Sequence, residues 1–114
     1  MIKQETEFYV KNCMKTWLIC EACAYMEMKS EKPNQEVVFH CQCCAEICFA
    51  LVCRLIANFR TELDQFAFLC MLHCKQCAAV CKNYTEVEDL QYCSKTCGNC
   101  STVLRKLIVP LQLN

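Results

Sequence analysis

Glycine occurs once and proline twice in these 114 residues. β architectures need both at their turns, so this scarcity argues against an all-β fold and for helices. Charge of one sign is missing as well. Twelve basic and 12 acidic residues give a formal net charge of zero, without a lysine or arginine block. A nucleic-acid footprint is therefore unsupported. No stretch approaches the roughly 18 uncharged apolar residues of a membrane span. The first residues, Met1-Ile2-Lys3-Gln4-Glu5-Thr6-Glu7, carry no apolar run after the lysine, so no secretory leader is expected. There is no phosphate-cradling glycine loop and no Ser–His–Asp set, so the expectation is a protein that is not an enzyme. The length suits one domain, residues 1–114.

What the chain has in excess is cysteine, 15 residues of 114. Such density usually marks a secreted disulfide scaffold. The odd count, an apolar content large enough for a core and the lack of a leader argue instead for free thiols in a reducing cytoplasm. Free thiolates are soft metal ligands.

The spacing of these cysteines is helical. Cys70, Cys74, Cys77 and Cys81 step by four, three and four; Cys41, Cys44 and Cys48 by three and four; Cys93, Cys97 and Cys100 by four and three. Cys20 and Cys23 are three apart, with Cys13 one heptad before Cys20. Such steps put side chains on one face of an α-helix. The predicted helices run over about residues 5–29, 35–58, 62–83 and 86–108. Ser30-Glu31-Lys32-Pro33-Asn34 is the clearest loop, with Asn34 as the N-cap of the second helix. Thr61 with Asp64, and Thr85 with Glu88, read as capping boxes for the third and fourth helices, and Pro110 marks the end of the fourth. Gly98 inside that helix costs about 1 kcal/mol against alanine and offers room for a close helix approach. Four helices with short links predict an all-α, antiparallel up-down-up-down bundle with a cysteine-lined core.

Counted from the loop end of such a bundle, the cysteines fall at matching depths. Cys44, Cys74 and Cys97 each lie about ten residues down, Cys48 and Cys70 about fourteen, and Cys41 and Cys77 about seven. Thirteen cysteines fit this inward column. Cys43 and Cys53 do not; Cys43 reads as a lateral or surface thiol and Cys53 as packed between neighbouring helices. At the far end the stripes turn apolar through Phe8, Leu51, Leu55, Phe59, Phe66, Leu104 and Leu107, which predicts a hydrophobic plug. Met26, Met28, His40 and the acids Glu27, Glu86 and Glu88 mark the loop end as the way in for a soft ion.

Two thiolates on one helix, or on facing helices at one height, bracket a small soft ion, and sulfur of low coordination number suits Cu(I). A ladder without isolated four-ligand groups would hold many ions with shared sulfurs. Zinc prefers closed tetrahedral sets. An iron–sulfur run ending in Cys-Pro is absent. The expected cargo is Cu(I), multiple ions per chain, on Cys13, Cys20, Cys23, Cys41, Cys44, Cys48, Cys70, Cys74, Cys77, Cys81, Cys93, Cys97 and Cys100. Zinc or another soft metal in a binding or sensing role stays open as an alternative, and so does a thiol–disulfide redox protein, since four Cys-x2-Cys pairs are present.

These motifs resemble the bacterial copper storage proteins, small cysteine-rich four-helix bundles formerly labelled ferredoxin-like. The resemblance covers nearly the whole chain. It is strongest at Cys70-x3-Cys74-x2-Cys77-x3-Cys81 and Cys93-x3-Cys97-x2-Cys100. It implies Cu(I) held by core thiolates, a cytoplasmic storage or sequestration role, copper ions as the partner rather than nucleic acid or membrane, and assembly as a tetramer. The chain departs from the family where Leu51, Leu55, Leu104 and Leu107 stand in place of further cysteines, which implies a shorter column and fewer ions.

Overall fold

A computed structural model describes residues 3–113, with side chains described as far as Ile108. Met1 and Ile2, read above as part of the N-terminal segment, lie outside the described residues. Four helices follow one another: α1 (Lys3–Met28), α2 (Gln35–Ile56), α3 (Leu63–Lys82) and α4 (Glu88–Leu113). Each packs on two neighbours around a square, α1 on α2 and α4, and α3 on α2 and α4. The result is an all-α four-helix bundle measuring 47 × 21 × 21 Å. A helix rises 1.5 Å per residue, so the long dimension is set by single helices lying side by side.

The helix ends depart from the expectations in instructive ways. Asn34 does cap α2, its side chain accepting from the Val37 N–H at 3.1 Å. That helix stops at Ile56 rather than Asn58, because Asn58 turns left-handed with φ 53°. The Phe59 N–H then bonds the Arg54 carbonyl (2.9 Å) and the Asn58 N–H that of Leu55 (3.2 Å), the paired closure of a Schellman turn. The expected Thr61 cap is not what starts α3. Glu62 occupies the N-cap in a left-handed conformation, φ 59°, without a side-chain cap bond. At the start of α4 the Val87 carbonyl accepts from both Leu90 and Gln91, so the helix begins after the Thr85 position. Gln91 reaches back from its first turn to the Tyr84 and Cys81 carbonyls at 2.7 and 3.2 Å, closing the C-terminus of α3. Beyond Ile108 the backbone of α4 stays helical through Pro110 to Leu113. Proline has no backbone N–H, so this last turn forfeits one bond to the carbonyl four residues back.

The core divides into a sulfur zone and an apolar plug. Leu51, Leu55, Leu63, Ala67, Leu104, Leu107 and Ile108 are buried at the plug end. Phe8 and Phe59, expected there, are 47% and 51% exposed instead. Phe8 lies off the α1 stripe that buries Cys13 and Thr16, and Phe59 follows the Asn58 turn. Phe66 is half-buried at the plug's edge, where the Arg54 guanidinium stacks on its ring at 3.5 Å. Gly98 is not needed for packing, since a Cβ there would meet open space. Helix α2 is long and apolar enough, by length and composition, to cross a membrane, contrary to the expectation that no stretch is. Part of its hydropathy comes from Cys41, Cys44, Cys48, Val37, Leu51, Val52 and Leu55, which are buried in the bundle, and part from Phe39, Phe49 and Ile56, which are exposed.

Candidate metal centre

Helical periodicity aims three or four cysteines of each helix at the bundle axis, and the up-down arrangement brings them to common heights. All fifteen cysteines are free thiols. The thirteen on the inward stripes are buried; Cys43 is half-buried and Cys53 is exposed. Cys53 therefore faces solvent rather than the helix seam expected for it, because it stands one position past Val52, whose side chain takes the buried place.

At mid-column Cys20, Cys44, Cys77 and Cys97 converge, one from each helix, with their sulfurs within 4.8 Å of one another. Nearer the loops Cys41, Cys77, Cys81 and Cys93 form a second such group, and toward the plug Cys44, Cys48 and Cys74 form a third. Groups share members: Cys77 belongs to the first and second, Cys44 to the first and third. The contacts are close. Cys20 and Cys97 sulfurs lie 3.4 Å apart, Cys48 and Cys70 3.4 Å, Cys44 and Cys74 3.6 Å, and Cys41 and Cys81 3.9 Å. At the plug end Cys100 and Cys70 push the Cys13 thiol up, and at the loop end Cys93 does the same to Cys23. The matched depths read from the spacing are thus real contacts. Metal–thiolate bonds of about 2.3 Å put sulfurs around one trigonal or tetrahedral ion about 3.8–4.0 Å apart, so little movement separates this arrangement from a ligand set.

The thiols hydrogen-bond one another, and this polarises the column. Sulfurs that accept several S–H bonds are stabilised as thiolates. Cys41 is drawn down to about 5 by bonds from Cys20, Cys77 and Cys81, and Cys70 to about 3 by bonds from Cys13, Cys48 and Cys74. The donors are pushed the other way. Cys20 is raised by its bonds to Cys41, Cys44, Cys77 and Cys93, and burial adds to that. Cys74 is raised by its bonds to Cys100, Cys44, Cys48 and Cys70. Protons in such a network belong to the set of sulfurs rather than to single residues.

Thr16, on the inward face of α1 with Cys13 and Cys20, is 1% exposed and brings a hydroxyl into the core. Its hydroxyl donates to the Asn12 carbonyl at 2.9 Å and lies against Cys100. Trp17, next in sequence, is half-buried against the core, with its ring 5.0 Å from that of Phe49. Of the residues expected at the loop end, His40 is half-buried with its ring edge-on to Phe39. The Met28 sulfur accepts from Gln42 on the α1–α2 flank at 3.7 Å. Met26 is 53% exposed and lines a cavity that reaches Cys23.

No curated protein and no solved structure matches the chain. The family model described as copper storage protein matches residues 2–108. With that match spanning nearly its whole length, over a bundle whose core is a column of mutually bonded thiols, the chain belongs to the copper storage protein family.

Proposed function

We propose that the thirteen buried cysteines, Cys13 to Cys100, are the ligands with which this protein stores Cu(I), several ions to a chain. Storage or sequestration of copper is the family's role, the cargo is Cu(I) on cysteine thiolates, and the protein is not an enzyme. The observation that carries the ligand assignment is the register: thirteen cysteines from four helices are buried along one column, and nine of them fall into groups with sulfurs within 4.8 Å of one another.

The chemistry of the column favours a monovalent soft ion. Buried charge is costly unless it is balanced. Each Cu(I) that replaces one thiol proton leaves the charge of the column unchanged, so many ions accumulate without a growing electrostatic cost. Zn(II) closed by four thiolates would leave two negative charges per site. Sulfurs common to two groups, as Cys44 and Cys77 are, suit shared ligation. The free thiols fit a reducing cytoplasm, where the ions would be kept from other thiols and from oxygen.

Self-association into a tetramer is part of the same proposal. It is supported by the resemblance and by apolar side chains left outside the bundle, among them Leu18, Phe39 and Ile56 at 55–67% exposure.

Titration of reduced, anaerobic protein with Cu(I) against a competing chelator tests the function. Saturation at several ions per chain is expected. The two four-sulfur groups also suit tetrahedral zinc, so a single bound ion, or Zn(II) displacing Cu(I) in competition, would replace storage by a structural or sensing role.

A further inference from the structure

Three of the four seams at the loop end are tied by hydrogen bonds. Between α1 and α2, the Asn34 N–H donates to the Glu27 carboxylate at 2.8 Å. Between α2 and α3, the Asn34 side-chain amide donates to the Tyr84 hydroxyl. Between α3 and α4, Gln91 holds the Tyr84 and Cys81 carbonyls. These bonds draw the two interhelical turns together over the top of the column, and beneath them Cys41 and Cys81 are fully buried. The fourth seam, α1 against α4, is linked there by the Cys23 sulfur and the Asp89 carbonyl, 3.7 Å apart, and a thiol is a weak donor.

A cavity of about 290 Å³ opens at that seam, lined by Cys23, Met26, Glu27, Ser30, Asp89 and Leu90 among others. Cys23 is 6% exposed, whereas the other twelve column cysteines are 0–1% exposed. We propose that this side window, rather than the axial end of the bundle, is where Cu(I) first binds, held by the sulfurs of Cys23 and Met26. The proposal rests on the column being a copper store. Cys23 and Met26 are i and i+3 on one helix and so share a face. Thiol and thioether are both soft ligands. The Glu27 and Asp89 carboxylates at the rim attract a cation.

Inward from Cys23 stands Cys93, whose charge acts on the Cys23 thiol and whose sulfur lies 3.9 Å from that of Cys20 and 4.0 Å from that of Cys97. Cu(I) arrives on an exchangeable carrier ligand. Its bonds to the Cys23 and Met26 sulfurs form as that ligand leaves, and the Cys23 proton passes to solvent. A bond to Cys93 then forms while the bonds to Met26 and Cys23 break, and the proton lost by Cys93 returns to Cys23; the Met26 thioether carries no proton. Copper stays at +1 throughout, so no oxidant or reductant is consumed.

Two measurements test the window. In reduced copper-free protein, a short alkylating pulse read by mass spectrometry should label Cys53 and Cys43 first and then Cys23, ahead of the other twelve. Labelling of Cys41 or Cys81 before Cys23 would overturn the proposal without involving copper. In stopped-flow loading from the Cu(I)–bicinchoninate complex, Cys23→Ser should slow uptake several-fold while retaining most of the capacity. Cys53→Ser should change neither, and Tyr84→Phe, which unties the axial end, should leave the rate near that of the parent. Acceleration by Tyr84→Phe with no effect of Cys23→Ser would place the route at the axial end. Failure of the parent protein to take up several ions would instead refute the storage reading, and the labelling order would still decide whether the window is open.

Discussion

Replacing Cys77 by alanine removes the sulfur common to both four-sulfur groups. Each group keeps three sulfurs, but every ion bridged through Cys77 loses a ligand, so both groups should weaken together and about two Cu(I) ions should be lost to the competing chelator. Cys13 makes the comparison. It is buried at the plug end of the column and its sulfur belongs to none of the three groups, so Cys13→Ala should cost about one ion. Both sites are fully buried. Deleting one sulfur from either leaves a gap comparable to a methylene, worth about 1 kcal/mol, against a total stability of about 5–15 kcal/mol for a domain of this size. Both variants should therefore stay folded, and the capacity difference reports ligation rather than collapse. Anaerobic Cu(I) titration against a chelator, with helix content followed by circular dichroism, reads both quantities. Equal losses in the two variants would refute the idea that ions share sulfurs across groups.

Further outcomes follow from the plug, the cap and the thiols. Leu104→Ala should destabilise the copper-free bundle by about 3 kcal/mol in denaturant unfolding while sparing copper capacity, since Leu104 lies fully buried beyond the sulfurs. Asn34→Ala should cost about 1 kcal/mol for the lost α2 cap. The copper-free protein should melt at lower temperature as pH rises above the ordinary thiol value of 9.0. Cys20, Cys48 and Cys74 are raised by their sulfur hydrogen bonds and by burial, so they keep protons that the unfolded chain sheds there; their stabilisation is complete below that pH and fades above it. Loading should release protons, and acid should favour copper loss, both readable with a pH indicator. Light scattering after gel filtration checks the tetramer, and a monomer at all concentrations would remove it.

The sulfur column was legible because one residue type repeats at helical steps on four segments, and periodicity survives whatever the loops do. The depth matching of Cys44, Cys74 and Cys97 needed only helix rise and approximate ends. Loop chemistry was less legible. The Asn58 turn and the Gln91 bridge are set by backbone conformation and by a partner helix, and the Thr-x-x-acid spelling at Thr61 and Thr85 competed with them and lost. Phe8 and Phe59 are apolar and near a stripe without belonging to it, and residue type alone does not separate the two cases. The side window at Cys23 depends on which seam lacks a strong tie, a property of four helices together that no single segment encodes.

Among the described residues, the plug closes one end of the column. Below Cys13, Cys48, Cys70 and Cys100 the axis is filled by Leu51, Leu55, Leu104 and Leu107. A passage closed at one end behaves as a stack: ions that settle deepest are the last to leave, and those near Cys23 are the first. The protein would then hold two reserves from one ligand type, a shallow one that answers quickly to a chelator and a deep one released only after the shallow one has drained.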